Sequence, residues 1–263
     1  MNISVALAIN YTKTNISPFL KSYEKYASGI LYILTDKMDQ YEGFKNIVAV
    51  NVIDIIQKYR IDTTKLTPYN LKPIVYYLFL KDFDQPVENV FLTDVDVVFQ
   101  SDPFAILNEI KTDTFIICEE KKLYSECDTN TTWYNMGYRD SYDKVINEKI
   151  LNCGITLGTK ASVQDYQKQV AKELEVVMAR QPYFAYDQVI LNVLYYTTKT
   201  VNPTILPHGN NYIVHLAHVD DSELNDKNVV NNQLLNNDGV PYPIVHQFNE
   251  RLSLNEMFIK LYE

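Results

Sequence analysis

Short runs that are apolar at nearly every position alternate with stretches whose apolar residues fall three and four apart. "ISVALAI" (3–9), "ILYILT" (30–35), "NIVAVN" (46–51) and "NVFLT" (89–93) are of the first kind. They predict strands covered on both faces, as in a parallel sheet. Residues 17–27, with Phe19, Leu20, Tyr23 and Tyr26, and "VIDIIQKY" (52–59) are of the second kind and predict helices. "PYNLKPIVYYLFLKDF" (68–83) predicts another, with Pro73 in its first turn and Lys72 at its entrance, beside free backbone N–H groups. "DPFAIL" (102–107) starts a short helix with Asp102 as N-cap and Pro103 at the first position. "TFIIC" (114–118) and "ILNCGITLG" (150–158) return to strand character, 161–179 and 184–196 to helix. "PYPIVHQF" (241–248) reads as a late extended segment, and "LSLNEMFIKLY" (252–262) as a closing helix capped by Ser253. The alternation is the βαβ pattern of an open, mostly parallel α/β sheet with helices on both faces.

Two stretches break the rhythm. Residues 119–149 are polar and irregular, with Trp133 and several tyrosines, and predict a long loop that closes over a ligand or binds one. Residues 220–239 read as a polar excursion. No repeat or linker divides the chain, so one domain spanning 1–263 is expected.

Composition narrows the function classes. The chain is 46% apolar and 22% charged, with a net charge of -9 and no basic cluster, which argues against nucleic-acid binding. A charged nucleotide ligand would need a bound cation or a few local Lys and Arg residues. No apolar run approaches the roughly 20 residues of a membrane helix. "MNISVALAIN" lacks the basic region of a signal peptide. Cys118, Cys127 and Cys153 show no metal spacing and cannot all pair, so a reducing, cytoplasmic setting is expected. The 21 tyrosines suit sugar stacking or reflect biased codon usage.

The chemistry concentrates at "FLTDVDVVFQSDP" (91–103). Strand side chains alternate, so Asp94 and Asp96 face the same way at the carboxyl end of a central strand. Open α/β sheets bind ligands in the crevice there. Two carboxylates a few ångströms apart repel each other, and a divalent cation with a taste for oxygen relieves that repulsion. Mn²⁺ or Mg²⁺ would then bridge to a diphosphate. A third ligand is needed. His246 follows an apolar run late in the chain, and imidazole suits Mn²⁺ better than Mg²⁺. His208, His215 and His218 are rivals for the same role.

The order of these motifs resembles the GT-A-fold glycosyltransferases, most nearly the glycogenin and lipopolysaccharide galactosyltransferase-like group. Lys72, Asp94, Asp96 and Pro103 match the basic residue, the Asp-x-Asp and the following Pro-containing helix of that group. "LNCGITLG" is similar to its Asn-x-Gly strand through Asn152 and Gly154. "YDQVILN" is similar to its Asp-Gln-x-x-Leu-Asn helix start through Asp187, Gln188, Leu191 and Asn192. The resemblance spreads over most of the chain. It implies a GT-A fold, a nucleotide-sugar donor (usually UDP-linked), a glycan acceptor and a Mn²⁺ or Mg²⁺ ion on Asp94, Asp96 and His246. It places the nucleoside against Ala8, Asn10, Tyr11 and Asp36, the phosphates near Lys72 and the donor sugar among Asn152, Gly154, Asp187 and Gln188. The family follows its histidine with a glycine and a Lys-Pro. "HQFNERLS" has neither, which leaves Arg251 as a substitute cation and points to a divergent branch.

Two other readings share the motif. "VFLTDVDVV" fits a haloacid-dehalogenase-like phosphatase in which Asp94 is the nucleophile, Asp96 the acid and "VDDSE" (219–223) a later acidic motif. That motif normally lies on its domain's first strand, whereas several strand–helix units precede it here. A nucleotide-sugar-binding protein without catalysis is the other.

Overall fold

The computed structural model describes residues 1–217, 219, 224 and 228–262. His218 and most of "VDDSE" lie outside the described residues. The apolar runs become strands β1 (Asn2–Ala8), β2 (Ile30–Thr35), β3 (Ile47–Asn51) and β4 (Asn89–Thr93). β1 pairs in parallel with both β2 and β4, and β2 with β3. The helices between them are α1 (Ser17–Tyr26), α2 (Val52–Tyr59) and α3 (Pro68–Asp82). β5 (Val97–Phe99) and α4 (Ile106–Glu109) follow, and Asp102 caps the intervening turn by accepting from the Phe104 N–H at 3.2 Å. Next come β6 (Phe115–Leu123), α5 (Asp128–Tyr138), β7 (Lys149–Thr159), α6 (Lys160–Arg180) and α7 (Asp187–Asn192). The chain ends in short strands β8 (Thr204–Leu206), β9 (Ile213–His215), β10 (Val229–Val230), β11 (Gln233–Leu234) and β12 (Ile244–His246), then α8 (Leu252–Leu261).

Seven strands form the main sheet in the order β3-β2-β1-β4-β7-β6-β8, with β7 antiparallel to both its neighbours. One core layer sets β1 and β4 residues such as Val5 and Leu92 against α3 and α6. The other sets Phe91, Phe99 and Ile155 against α1. With each side chain worth ~1.5–3 kcal/mol when removed from water, both faces must be covered, as the continuous apolar runs require. A three-stranded sheet, β5-β12-β9, folds beside the main one and carries its own apolar cluster with α8.

Three local expectations are corrected. Residues 119–149 are not a loop: β6 continues to Leu123, and α5 and a 3₁₀ stretch over Arg139–Lys144 fill most of the rest. α5 buries only Asn130 and Tyr134, four residues apart on one face, so its apolar stripe is too thin to register as helical periodicity. α3 spans Pro68–Asp82, close to the predicted 68–83, but Pro73 lies inside it rather than in its first turn. Thr67 is its N-cap and accepts from the Asn70 N–H, and Pro68 takes the first-turn position. Lys72 therefore sits one turn inside the helix, buried. Ser253 does not cap α8, which begins at Leu252 without a side-chain cap.

Candidate active site

The loop after β4 is stitched to both sheets. The Asp94 N–H donates to the Gly154 carbonyl on β7 at 2.8 Å, and the Gln247 N–H after β12 donates to the Asp96 carbonyl at 2.9 Å. Val95 is buried between them. β12 runs antiparallel to β5 with His246 opposite Val97, so chain-distant segments converge on one spot. His246 Nε2 lies 3.3 Å from Asp96 Oδ1 and 3.8 Å from Asp94 Oδ2.

These three side chains fit a divalent ion. Ligands at right angles, each ~2.1 Å from a common ion, lie ~3 Å apart. One atom from each of Asp94, Asp96 and His246 falls within 4.8 Å of the others. Asp96 Oδ1 is buried without a hydrogen-bond partner, a cost that a cation would remove. Gly154 keeps the space open: a Cβ there would stand 2.6 Å from Asp94 Oδ2 and 2.8 Å from His246 Nε2. Burial alone would lower the imidazole's pKa, but Asp96 and Asp94 outweigh it and raise it from 6.5 to about 9. The site therefore attracts positive charge, and a proton supplies it when no metal does.

Lys72 anchors the opposite side of Asp94. Its Nζ lies 2.8 Å from Asp94 Oδ1 and 2.8 Å from Asp187 Oδ2. Burial opposes the ammonium, but Asp187 and Asp94 outweigh it and hold its pKa well above the usual value. Asp94 is likewise held well below the usual carboxylate range, with burial opposing and Lys72 and His246 prevailing. Asp187 is the first residue of α7, and its Oδ1 accepts from the Gln188 N–H at 2.9 Å while Oδ2 faces Lys72.

Beyond Asp187 the wall changes character. Asn152 Oδ1 accepts from the Gly154 N–H, and its amide donates to Glu120 Oε1 at 2.8 Å. Gln188 donates to the same oxygen at 3.1 Å and to Asn130 Oδ1 at 2.8 Å. Asn192 ties α7 to β7, exchanging hydrogen bonds with the Leu151 N–H and carbonyl. All five side chains are buried. Glu120 and Asn130 carry no signal in the sequence: both lie in the polar 119–149 segment, and neither belongs to a motif.

All of these groups except Asn192 line one cleft of about 680 Å³, together with Tyr11, Tyr69, Trp133, Phe184 and Glu250, within the size range of small-molecule sites. Asn10 and Tyr11 line a branch of it of about 340 Å³ that runs to Asp96. Asp36 is exposed and outside the cleft wall, but its Oδ1 accepts from the Asn10 N–H at 3.0 Å and so shapes the Tyr11 loop. Ala8 is fully buried at the end of β1 and does not line the cleft. Arg251 does not line it either. The turn after His246 presents Gln247, Phe248, Asn249 and Glu250 instead. Among the described lining residues Lys72 is the single Lys or Arg, against the carboxylates of Asp94, Asp96, Glu120, Asp187 and Glu250.

A seven-stranded sheet whose β4 ends in the acidic loop, flanked by antiparallel β7 and a small sheet that delivers the histidine, defines the GT-A fold. No protein-family model and no curated protein matches the chain. Among solved structures it is similar to the galactosyltransferase LgtC in complex with donor and acceptor sugar analogs, at 14% identity and a TM-score of 0.54, over 100% of this chain and 95% of that one. It also matches an active-site mutant of LgtC at 15% identity and a TM-score of 0.49, over 94% and 86% of the two chains. The first of these two likenesses bears out the implied fold. The phosphatase pattern fits less well, since β4 is the fourth strand of the chain and Asp94 is engaged by Lys72.

Proposed function

We propose that this chain is a metal-dependent glycosyltransferase moving a sugar from a nucleoside-diphosphate sugar, a UDP-sugar by preference, to a hydroxyl of a glycan or other acceptor. The observation that carries the reading is the convergence of Asp94, Asp96 and His246 in a cleft that otherwise repels anions. Asp94, Asp96 and His246 would hold Mn²⁺ or Mg²⁺. When bound, that ion supplies positive charge to a leaving diphosphate. Asn10 and Tyr11 receive the nucleoside, with the tyrosine ring as a stacking surface. Lys72 holds Asp94 and Asp187 in place and adds its own charge to the cleft floor. Asp187, Gln188 and Asn152 orient the donor sugar's hydroxyls, and Gly154 leaves room for the sugar and the ion. Asp187 is the acid at the reacting end of the cleft. Trp133 and Phe184, 5.9 Å apart and edge to face, form a rim that limits water access.

The test is a thermal-shift screen of nucleotide sugars with and without Mn²⁺, followed by release of nucleoside diphosphate from any hit. A UDP-sugar that stabilises the chain only with metal, and not the Asp96→Asn variant, is expected. Equal stabilisation without metal, or phosphate release from generic phosphoesters, would defeat the reading.

A further inference from the structure

His215 sits directly behind the metal-facing histidine. β9 and β12 are parallel neighbours with His215 and His246 in register, so the two side chains leave the small sheet side by side on one face. Their rings lie 4.8 Å apart at 73°, and their Nδ1 atoms are 2.7 Å from each other. Both residues are buried, His215 to 5% exposure and His246 to 1%. His215 offers no atom to the Asp94–Asp96–His246 group. Its contribution must pass through the other ring.

A contact between two Nδ1 atoms is a hydrogen bond only when one of them carries a proton and the other does not. His246 Nε2 faces Asp96 and Asp94, and it can hold a cation only through a free lone pair. The proton of a neutral, ligating His246 is therefore on Nδ1, and His215 Nδ1 is its acceptor. We infer that His215 is a positioning residue. It fixes the ring angle and the tautomer of His246 so that Nε2 points into the site with its lone pair exposed. A metal-ligating histidine commonly has such a partner, usually a carboxylate or a carbonyl. A neutral imidazole in that place adds no charge, so a divalent ion remains balanced by the two aspartates alone. This inference rests on Asp94, Asp96 and His246 being a metal site.

The experiment is a calorimetric titration of the full chain with Mn²⁺, alone and with uridine diphosphate. The proteins are wild type, His215→Phe, His215→Asn and Asp96→Asn, and melting in EDTA checks their folding. Wild type binds and Asp96→Asn does not. His215→Phe, which has no acceptor, binds roughly 10–100-fold more weakly. His215→Asn, whose Oδ1 can stand where Nδ1 stood, recovers most of the affinity, which a purely space-filling role would not produce. Nitrogen-15 imidazole spectra of the Mg²⁺-loaded wild type add a readout that needs no variant, with His246 protonated on Nδ1 and His215 on Nε2. Unchanged affinity in His215→Phe with unchanged melting in EDTA overturns the inference, as does a loaded state with the proton on His215 Nδ1. If His215→Phe does not fold, the asparagine variant and the spectra decide. If wild type and Asp96→Asn behave alike toward Mn²⁺, the metal site itself is refuted and the inference falls with it.

Discussion

On one side of the cleft the contacts are ionic: Lys72 between Asp94 and Asp187, and His246 against Asp96. On the other they are hydrogen bonds between amides and a single carboxylate, with Asn152 and Gln188 both donating to Glu120 and Gln188 also reaching Asn130. The amide side is buried and the ionic side partly so, with Asp94 and Asp96 one-third exposed, and the two are held for different reasons. The ionic side has charges whose balance changes when a cation arrives. The amide side is a network joined through one oxygen of Glu120, and hydrogen-bonded networks hold shape. The proposed sugar transfer would use both: a place where charge is exchanged, and a fixed wall against which a sugar is read.

The largest expected difference comes from Lys72→Met. Removing the ammonium takes away the counter-charge that Asp94 and Asp187 share in a largely buried setting, at a cost of about 3–5 kcal/mol for a fully buried pair. Asp94 is one-third exposed, which places the effect at the lower end. Urea unfolding of the metal-free protein measures it, and Mn²⁺ should recover only the part owed to Asp94. Glu120→Gln, by contrast, keeps an acceptor for both amides while giving up the charge, and about 1–2 kcal/mol is expected by the same measurement. A glutamine variant costlier than the methionine one would invert the comparison.

The same contrast explains what the sequence could disclose. The central strands announce themselves because burial on two faces demands unbroken apolar runs. Asp94 and Asp96 stand out because acid after such a run is costly without a purpose. Asp187 and Gln188 were found as a short motif at a helix start. Glu120 and Asn130 were missed because their role exists only after β6 and α5 are packed against α7. Each alone reads as an ordinary polar residue. Lys72 was named for the right neighbourhood but the wrong reason. The sequence places the helix over 68–83, and only the fold shows that Pro73 lies beyond its first turn, with Lys72 inside the helix rather than at its entrance. His215 was set aside as a rival to His246, and pattern could not reveal that parallel pairing makes them partners.

Gly154→Ala sharpens the comparison at the point where the two sides meet. The new methyl would stand 2.5 Å from His246 Cε1 and 2.6 Å from Asp94 Oδ2. Side-chain ends can yield, so the fold survives. The ligands, however, leave their positions, and Mn²⁺ affinity is expected to fall roughly 10–100-fold. Calorimetric titration reads this directly. Affinity equal to wild type would mean that the ion, if any, sits elsewhere in the cleft.

A pH trend separates the two sides without any substitution of the amides. In EDTA the folded-state pKa of His246 is raised from 6.5 to about 9, burial opposing and Asp96 and Asp94 prevailing. A group whose pKa is raised on folding stabilises most when it is protonated in both states. Its contribution is therefore complete below about pH 6.5 and is lost as pH rises through about 9. The melting temperature of wild type should fall relative to that of His246→Gln across this window. Glu120→Gln should keep the shape of the wild-type profile, shifted down by a constant amount. With Mn²⁺ under anaerobic conditions the sign reverses. The ion and the proton compete for the same lone pair of His246 Nε2, so the stabilisation gained from metal grows as the proton leaves. A metal-induced gain that shrinks between pH 6.5 and 9 would detach His246 from the ion and move the site's chemistry to the carboxylates alone.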